Sequence, residues 1–325
     1  MRWKRRRLLW RGFRSRHALT AVNIRTEQIK PNAILSFSTI RNEIERIAYF
    51  LDYYRKAGVE HFLIVDNGSD DGTFELLSEQ PDVSLWQTRA SYRAARFGVD
   101  WMNWLLMRYG HGHWCLSVDA DEFLVYDGSD HHGLHELTHK LDALGLTAFG
   151  VHMLELFPRH SLGDEPVSGD PLGELPWFDP ILTRSVRQKP MLNLWVQGGT
   201  RERVFFPDAP SLSPTLNKLP LVKWDKRYCY VNSTHSILPP RLNLAYDGPA
   251  DQRPCGVLLH AKFQSTIVAK SETEQRRAQH FGAPEQLGPY YSGIAARPQL
   301  WTSEAVQYSN PEQLVSLGFM SSIAW

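Results

Sequence analysis

The chain has 325 residues, of which 42% are hydrophobic and 12% aromatic, as expected for a globular protein with a sizeable core rather than a disordered one. No apolar run approaches the roughly 18 residues of a membrane-spanning helix, and the basic start lacks the apolar core of a secretory signal. The net charge of +1 hides an asymmetry, because residues 1–16 hold eight Lys or Arg and no acid, leaving 28 basic and 35 acidic residues elsewhere.

Residues 1–30 are predicted to form a basic N-terminal arm. Its cations alternate with Trp3, Trp10 and Phe13, a mixture that suits an anionic membrane surface better than nucleic acid, so no nucleic-acid partner is expected. A disordered solvated tail and an organelle transit peptide are the alternatives. Three widely spaced cysteines without a Cys-x-x-Cys pair indicate reduced thiols. We therefore expect a cytoplasmic protein, peripheral on the cytoplasmic membrane face if the arm binds there.

From Ala33 onward, strand-like and helix-like segments alternate. Residues 33–38 predict a strand, and apolar residues spaced at helical intervals from Ile44 to Tyr54 predict a helix that starts near Asn42 and is capped by Gly58. Further strands are predicted at 61–66, 83–87, 114–118 and 148–157, and further helices at 73–78, 92–109 and 134–144. This alternation predicts an α/β fold with a mostly parallel central sheet and helices on both faces.

The chain is more irregular after the strand at 148–157. Pro and Gly are frequent from Pro158 to Pro220, so we expect long loops that shape an acceptor pocket. The predicted organisation is a main domain over residues 31–290 and an extension over 291–325 that packs on it.

Two acidic motifs follow predicted strands. Asp119, Asp121 and Glu122 come directly after the apolar strand 114–118, where hard carboxylate oxygens suit Mg²⁺ or Mn²⁺ and so a diphosphate. Asp66 ends the strand 61–66 and is followed by a tight turn. If Asp70 or Asp71 caps the next helix, Asp66 is left free to accept hydrogen bonds from a base or a ribose.

Together these motifs resemble the glycosyltransferases of family 2 type, which have the GT-A fold, and especially the subgroup with a DADEF signature related to family 92. The resemblance spans roughly residues 31–320 and depends on six segments: Arg41-Asn42-Glu43, Val65 to Thr73, Asp119 to Phe123, Gly198 to Arg201, Lys218 to Leu221, and Leu259 to Lys262. It implies a transferase that moves a sugar from a nucleotide-diphosphate sugar to a glycan, lipid-linked or protein acceptor, with inversion expected at the anomeric carbon.

The resemblance also assigns residues. It implies that Asp119, Asp121 and His260 hold a divalent cation, Mn²⁺ or Mg²⁺, with His235 as the rival histidine. The donor-binding residues it suggests are Asn42, Glu43, Asp66, Asn67, Asp119, Arg201, Lys218 and Lys262. An inverting transfer needs a carboxylate base for the acceptor hydroxyl, and the sequence does not single one out; Glu155 and Asp179 are favoured over Glu202 and Asp208.

Three other classes compete with this interpretation. His135, Glu136 and His139 match the His-Glu-x-x-His pattern of zinc peptidases, although the extended pattern fails in the residues that follow. A dinucleotide-binding oxidoreductase would need a glycine-rich turn after the first strand, and residues 38–43 contain no glycine. A degenerate transferase that binds a nucleotide sugar without turnover stays open.

Overall fold

The computed structural model describes residues 1–164, 167–181, 183–249, 252–277 and 284–325. The strands of these residues are β1 (Thr20–Asn23), β2 (Leu35–Ile40), β3 (His61–Asp66), β4 (Val83–Gln87), β5 (Trp114–Ser117), β6 (Glu122–Val125), β7 (Ala148–Phe157), β8 (Trp177–Phe178), β9 (Arg184–Arg187), β10 (Leu194–Gln197), β11 (Asn217–Lys223), β12 (Cys229–Tyr230), β13 (Ile237–Leu238), β14 (Cys255–His260) and β15 (Val306–Gln307).

The helices alternate with these strands in the first half of the chain. They are α1 (Arg2–Ser15), α2 (Ile44–Ala57), α3 (Thr73–Glu79), α4 (Val99–Tyr109), α5 (Leu134–Ala143), α6 (Pro171–Glu174), α7 (Gly199–Phe205), α8 (Ile267–Arg277), α9 (Pro284–Ala295) and α10 (Pro311–Ser316). None of them, among the residues the structure describes, has both the length and the apolar character needed to cross a bilayer.

One large mixed sheet organises the described part of the chain. Its order is β1-β4-β3-β2-β5-β11-β7-β14-β6, and β8 extends it from β7 with β15 beyond. β4, β3, β2 and β5 are parallel, as are β7 and β14, whereas β1, β11 and β6 run antiparallel to their neighbours. The predicted α/β fold is confirmed.

Crossover direction puts helices on both faces of the sheet. The chain moves outward from β2 through α2, β3 and α3 to β4, and then returns through α4 to β5 on the other side of β2. Because crossovers between parallel strands are right-handed, the two directions of travel place α2 and α3 on one face and α4 on the other. A buried row on α2, Ile47, Phe50, Leu51 and Tyr54, joins the core.

Most predicted elements of the first half are confirmed. β3, β4 and β7 match the predicted bounds, and Gly58 caps α2 with φ 105°. The helix predicted at 92–109 begins only at Val99, because Arg96, Phe97 and Gly98 all have positive φ and form a turn before it. Gly150 is needed in β7, since an added Cβ would lie 2.2 Å from the Cβ of Tyr246.

The N-terminal residues are not an isolated tail. α1 packs on α4, and β1 pairs with β4 at the edge of the large sheet. At the other end of the chain, the Trp325 ring stacks on His132 with centroids 4.2 Å apart. The boundaries predicted at residues 30 and 290 stay predictions. The three cysteines, Cys115, Cys229 and Cys255, are all buried.

Candidate functional site

Five neighbouring strands bring their polar ends to one edge of the sheet. β5, β7 and β14 run toward this edge and end there, whereas β11 and β6 run antiparallel to them and begin there. β2 and β3 are parallel to β5 and end at the same edge. Segments far apart in sequence therefore meet at the position predicted for the acidic motifs.

A row of three polar residues crosses the sheet at this edge. His260 on β14 pairs with Glu155 on β7 and with Glu122 on β6. Residues directly opposite each other on neighbouring strands project from the same face. The three side chains are buried on that face.

Asp121, Glu122 and His260 form a compact group of cation ligands. One ligand atom from each lies within 4.8 Å of the other two, and Nε2 of His260 is 3.3 Å from Oδ2 of Asp121. The buried Nδ1 of His260 has no hydrogen-bond partner among the described residues. Burial lowers the pKa of His260, against the opposing charge of Asp121. Carboxyl oxygens and an imidazole nitrogen are the ligands that suit a divalent cation such as Mn²⁺.

The predicted metal ligands are only partly brought together. Asp121 and His260 lie in the group, and they are joined by Glu122, a residue of the same acidic motif that was not among the predicted ligands. Oδ2 of Asp119 is instead 3.0 Å from Nζ of Lys218, and the Asp119 side chain is 48% exposed. A cation bound by Asp121 would have Asp119 beside it, but the role of Asp119 as a ligand stays a prediction.

Lys218 is a buried cation inside this acidic site. Its ammonium donates to Glu122 Oε1 as well as to Asp119. Burial raises the pKa of Glu122 to about 8, and the neighbouring Asp119 and Asp121 charges add to this shift against the effect of Lys218. For Lys218, burial would lower the pKa, but the two carboxylates outweigh it and raise the pKa. Lys218 thus compensates part of the negative charge of Asp119 and Glu122.

Further cations surround Asp121. Nη1 of Arg46 lies 3.9 Å from Asp121 Oδ2 and donates to the backbone oxygen of Ala261. Burial works to raise the pKa of Asp121, yet the charges of His260, Arg46 and Lys262 hold it well below its usual range. Burial lowers the pKa of Lys262. Lys262 was predicted from the sequence, but Arg46 was not. The feature that could have indicated Arg46 is its position on α2, three residues after Glu43.

Glu155, a predicted base, is held in a buried ion pair. Its two carboxylate oxygens accept hydrogen bonds from Nε and from the backbone N–H of Arg201, the latter at 2.7 Å. Nη2 of Arg201 has no hydrogen-bond partner in the part of the chain that the structure describes. A general base must reach the acceptor hydroxyl. The arrangement therefore favours a positioning role for Glu155, and its role as base stays a prediction.

Asp179, the other predicted base, is also engaged. It accepts hydrogen bonds from Thr200 Oγ1 at 2.9 Å and from Arg203 Nε at 2.9 Å, and it is buried. A cavity of about 10 Å³, lined by both Glu155 and Asp179, has room for roughly one water molecule. Glu155 and Asp179 are therefore close together but enclosed.

Asp66 does not project freely from the strand end as expected. Its carboxylate accepts hydrogen bonds from the backbone N–H groups of Gly68 at 3.0 Å and Ser69 at 3.1 Å, which closes the turn after β3. Asp71 accepts a hydrogen bond from the N–H of Thr73, the first residue of α3, whose N-cap position is Gly72. Binding of a base or ribose to Asp66 stays a prediction, and it requires this turn to move.

Asn42, Glu43 and Asn67 hold the loops at the ends of β2 and β3. Oδ1 and Nδ2 of Asn42 bind the backbone N–H and the carboxylate of Asp70, and Nδ2 of Asn67 donates to two backbone oxygens. Glu43 pairs with Arg46 and with Lys270, whose Nζ is 2.8 Å from Oε2. These residues shape the same edge of the sheet, while their binding of a nucleotide sugar is untested.

The histidines of the alternative metal patterns lie outside this group of ligands. His135 Nε2 lies 3.1 Å from a carboxylate oxygen of Glu60, Glu136 is engaged by His132 and by the backbone at the start of α5, and His139 is exposed. Nδ1 of His235 contacts the backbone oxygen of Asn217. Among the described residues, the ligand group that could hold a metal is the one formed by Asp121, Glu122 and His260.

Comparison with family models gives no match, and neither does comparison with curated proteins. Among solved structures, the chain is weakly similar to one described as the crystal structure of 4-diphosphocytidyl-2C-methyl-D-erythritol synthase. The TM-score is 0.26 at 13% identity, over 59% of this chain and 73% of that chain. A similarity this low supports no inference about function.

Proposed function

We propose that this protein is a divalent-metal-dependent glycosyltransferase of GT-A type, which moves a sugar from a nucleotide-diphosphate sugar to a glycan, lipid-linked or protein acceptor with inversion. The observation that carries the proposal is the Asp121, Glu122 and His260 group at the carboxyl edge of the sheet, with a buried imidazole nitrogen that lacks a partner among the described residues. Ligands of α/β sheets bind at this edge.

The residues present fit a bound cation. Asp121, Glu122 and His260 would hold Mn²⁺ or Mg²⁺, with Asp119 beside them. When bound, the cation would neutralise the charge that develops on a leaving diphosphate. The protein's own Lys262 and Arg46 extend the positive charge around Asp121, which favours an anionic ligand at the same place.

A non-catalytic nucleotide-sugar-binding module is the second candidate. It is favoured by one observation, that Glu155 and Asp179 are both held in ion pairs rather than exposed to an acceptor. The two candidates agree on the cation and the donor and differ on turnover.

The test is a thermal-shift panel of nucleotide-diphosphate sugars with and without Mn²⁺, because a ligand of the native state raises the melting temperature. We expect one nucleotide family to give a shift only with Mn²⁺, and Asp121→Asn to lose it. Asp52→Asn, at an exposed ion pair on α2, is the control and should keep it. Mn²⁺ binding that is unchanged in Asp121→Asn would refute the metal assignment.

Turnover separates the two candidates. Release of the nucleoside diphosphate from the donor identified in the panel, measured with and without an acceptor mixture, supports the transferase. Binding of the donor without any release over the same conditions supports the binding module.

A further inference from the structure

The helix α1 is fixed to the body of the protein along one side. Leu8 and Gly12 are buried, and an added Cβ at Gly12 would lie 3.3 Å from the Cβ of Asn103. Asp100 anchors the helix, since Arg11 Nε lies 3.0 Å from Oδ2 while Arg96 binds the other oxygen. The orientation of α1 on α4 is therefore set by specific contacts.

The other side of α1 is exposed and carries two tryptophans. Trp3 is 81% exposed and Trp10 is 57% exposed. They are seven residues apart, about two helical turns, so they project from the same side of the helix at a spacing of roughly 10 Å. We call this side, with Trp3, Trp10 and the exposed Arg6, Arg7 and Arg14, the outer surface of α1.

The outer surface of α1 combines exposed indole rings with positive charge. The guanidinium of Arg6 lies 5.6 Å from the ring centre of Trp3, and that of Arg14 lies 6.0 Å from the ring centre of Trp10. Residues 1–16 contain no acid that would neutralise these cations. Single exposed apolar side chains are common on protein surfaces, whereas several together on one face mark an interaction site.

We infer that the outer surface of α1 docks the protein on an anionic lipid bilayer. Charge complementarity with anionic headgroups attracts the arginines, and indoles are stabilised at the boundary between headgroups and acyl chains. A nucleic-acid duplex offers phosphates but no apolar layer, so it would leave both indoles in water. The inference is independent of the proposed function, because it uses no residue of the acidic site.

The test is cosedimentation of the full chain with vesicles of phosphatidylcholine alone and of phosphatidylcholine mixed with phosphatidylglycerol. We expect binding to the mixed vesicles that weakens as salt is added. Arg6→Gln/Arg7→Gln should reduce it about tenfold or more, because each cation near an anionic surface contributes separately. The control Lys56→Gln/Arg227→Gln removes the same charge elsewhere and should leave binding unchanged.

A second pair of variants tests the indoles. Trp3→Ser/Trp10→Ser should also weaken binding to the mixed vesicles, whereas Leu144→Ser/Val186→Ser, at two other exposed apolar positions, should not. All four variants alter exposed side chains, so unchanged melting temperatures will show that the fold is kept. Equal binding of wild type and the tryptophan variant overturns the inference. So does tighter binding to a single-stranded oligonucleotide than to the mixed vesicles.

Discussion

Replacing Glu155 by Gln should destabilise the protein strongly. The side chains of Glu155 and Arg201 are 1% and 6% exposed, so the substitution leaves a guanidinium that cannot lose its proton without its counter-ion. Removing one partner of a buried ion pair costs about 3–5 kcal/mol. That is a large part of the roughly 5–15 kcal/mol by which a folded domain is stable.

The matched control is Glu202→Gln, at another Arg–Glu pair. Its partner Arg184 is 51% exposed and can be hydrated when the carboxylate is removed, so we expect a loss of about 1 kcal/mol or less. Thermal unfolding followed by circular dichroism measures both. With an unfolding entropy of about 2.1 cal/mol/K per residue, each kcal/mol lost by a chain of 325 residues lowers the melting temperature by roughly 1.5 °C, so Glu155→Gln should lower it by roughly 4–7 °C.

The outcome also tests the predicted base. If the melting temperature of Glu155→Gln lies within about 2 °C of that of wild type, the buried ion pair does not contribute the expected stability. A stable variant that binds the donor but has lost turnover would instead support the prediction that Glu155 is the base.

Three further predictions use buried groups away from that ion pair. Burial lowers the pKa of His152 to about 4, so the unfolded chain takes up a proton that the folded chain does not, and stability is lost as the pH falls below about 6.5. Between pH 7.5 and pH 5 this costs about 2 kcal/mol, so denaturant titrations should show a loss of stability that is smaller by this amount in His152→Leu than in wild type, and unchanged in the exposed-site variant His131→Gln. Gly150→Ala should prevent soluble expression because of the tyrosine ring packed on it, whereas Gly145→Ala, which meets no atom within 4 Å, should express and unfold only slightly earlier. Lys218→Met should be less stable than wild type by about 3–5 kcal/mol in EDTA, because Asp119 and Glu122 lose their counter-ion, and it should regain more stability from Mn²⁺ than wild type does. A Mn²⁺ shift no larger than that of wild type would contradict the compensation of these two acids by Lys218.

Local sequence signals predicted much of the first half of the fold. The apolar runs of β3, β4 and β7 and the glycine cap of α2 are features that a single segment carries. The order of the sheet could not be predicted this way. Nothing within residues 217–223 indicates that β11 inserts between β5 and β7, because that position is decided by contacts with distant strands.

In the candidate site, too, the features carried by one segment were predicted and those that depend on distant contacts were not. The motif that contains Asp119 and Asp121 was found from sequence, Lys218 and His260 were suggested by the resemblance, and in the structure all four lie at the same edge of the sheet. The hydrogen bonds that hold Asp66 and Glu155 were missed, because side-chain partners depend on how loops close. Arg46 was missed for a related reason, since it meets Asp121 only once α2 is packed on the sheet.

The order of the strands has a consequence for how the chain is made. β11 completes the sheet between β5 and β7, and β14 does so between β7 and β6, yet both are synthesised after the strands on either side of them. A nascent chain that has not reached residue 217 would present open edges on β5, β6 and β7, which other chains can pair with. Such distant pairings also slow folding. Because His260 lies on β14, cation binding by Asp121 and His260 would show that the last internal strand has been inserted. Recombinant yield should depend on how fast that insertion follows release of the chain.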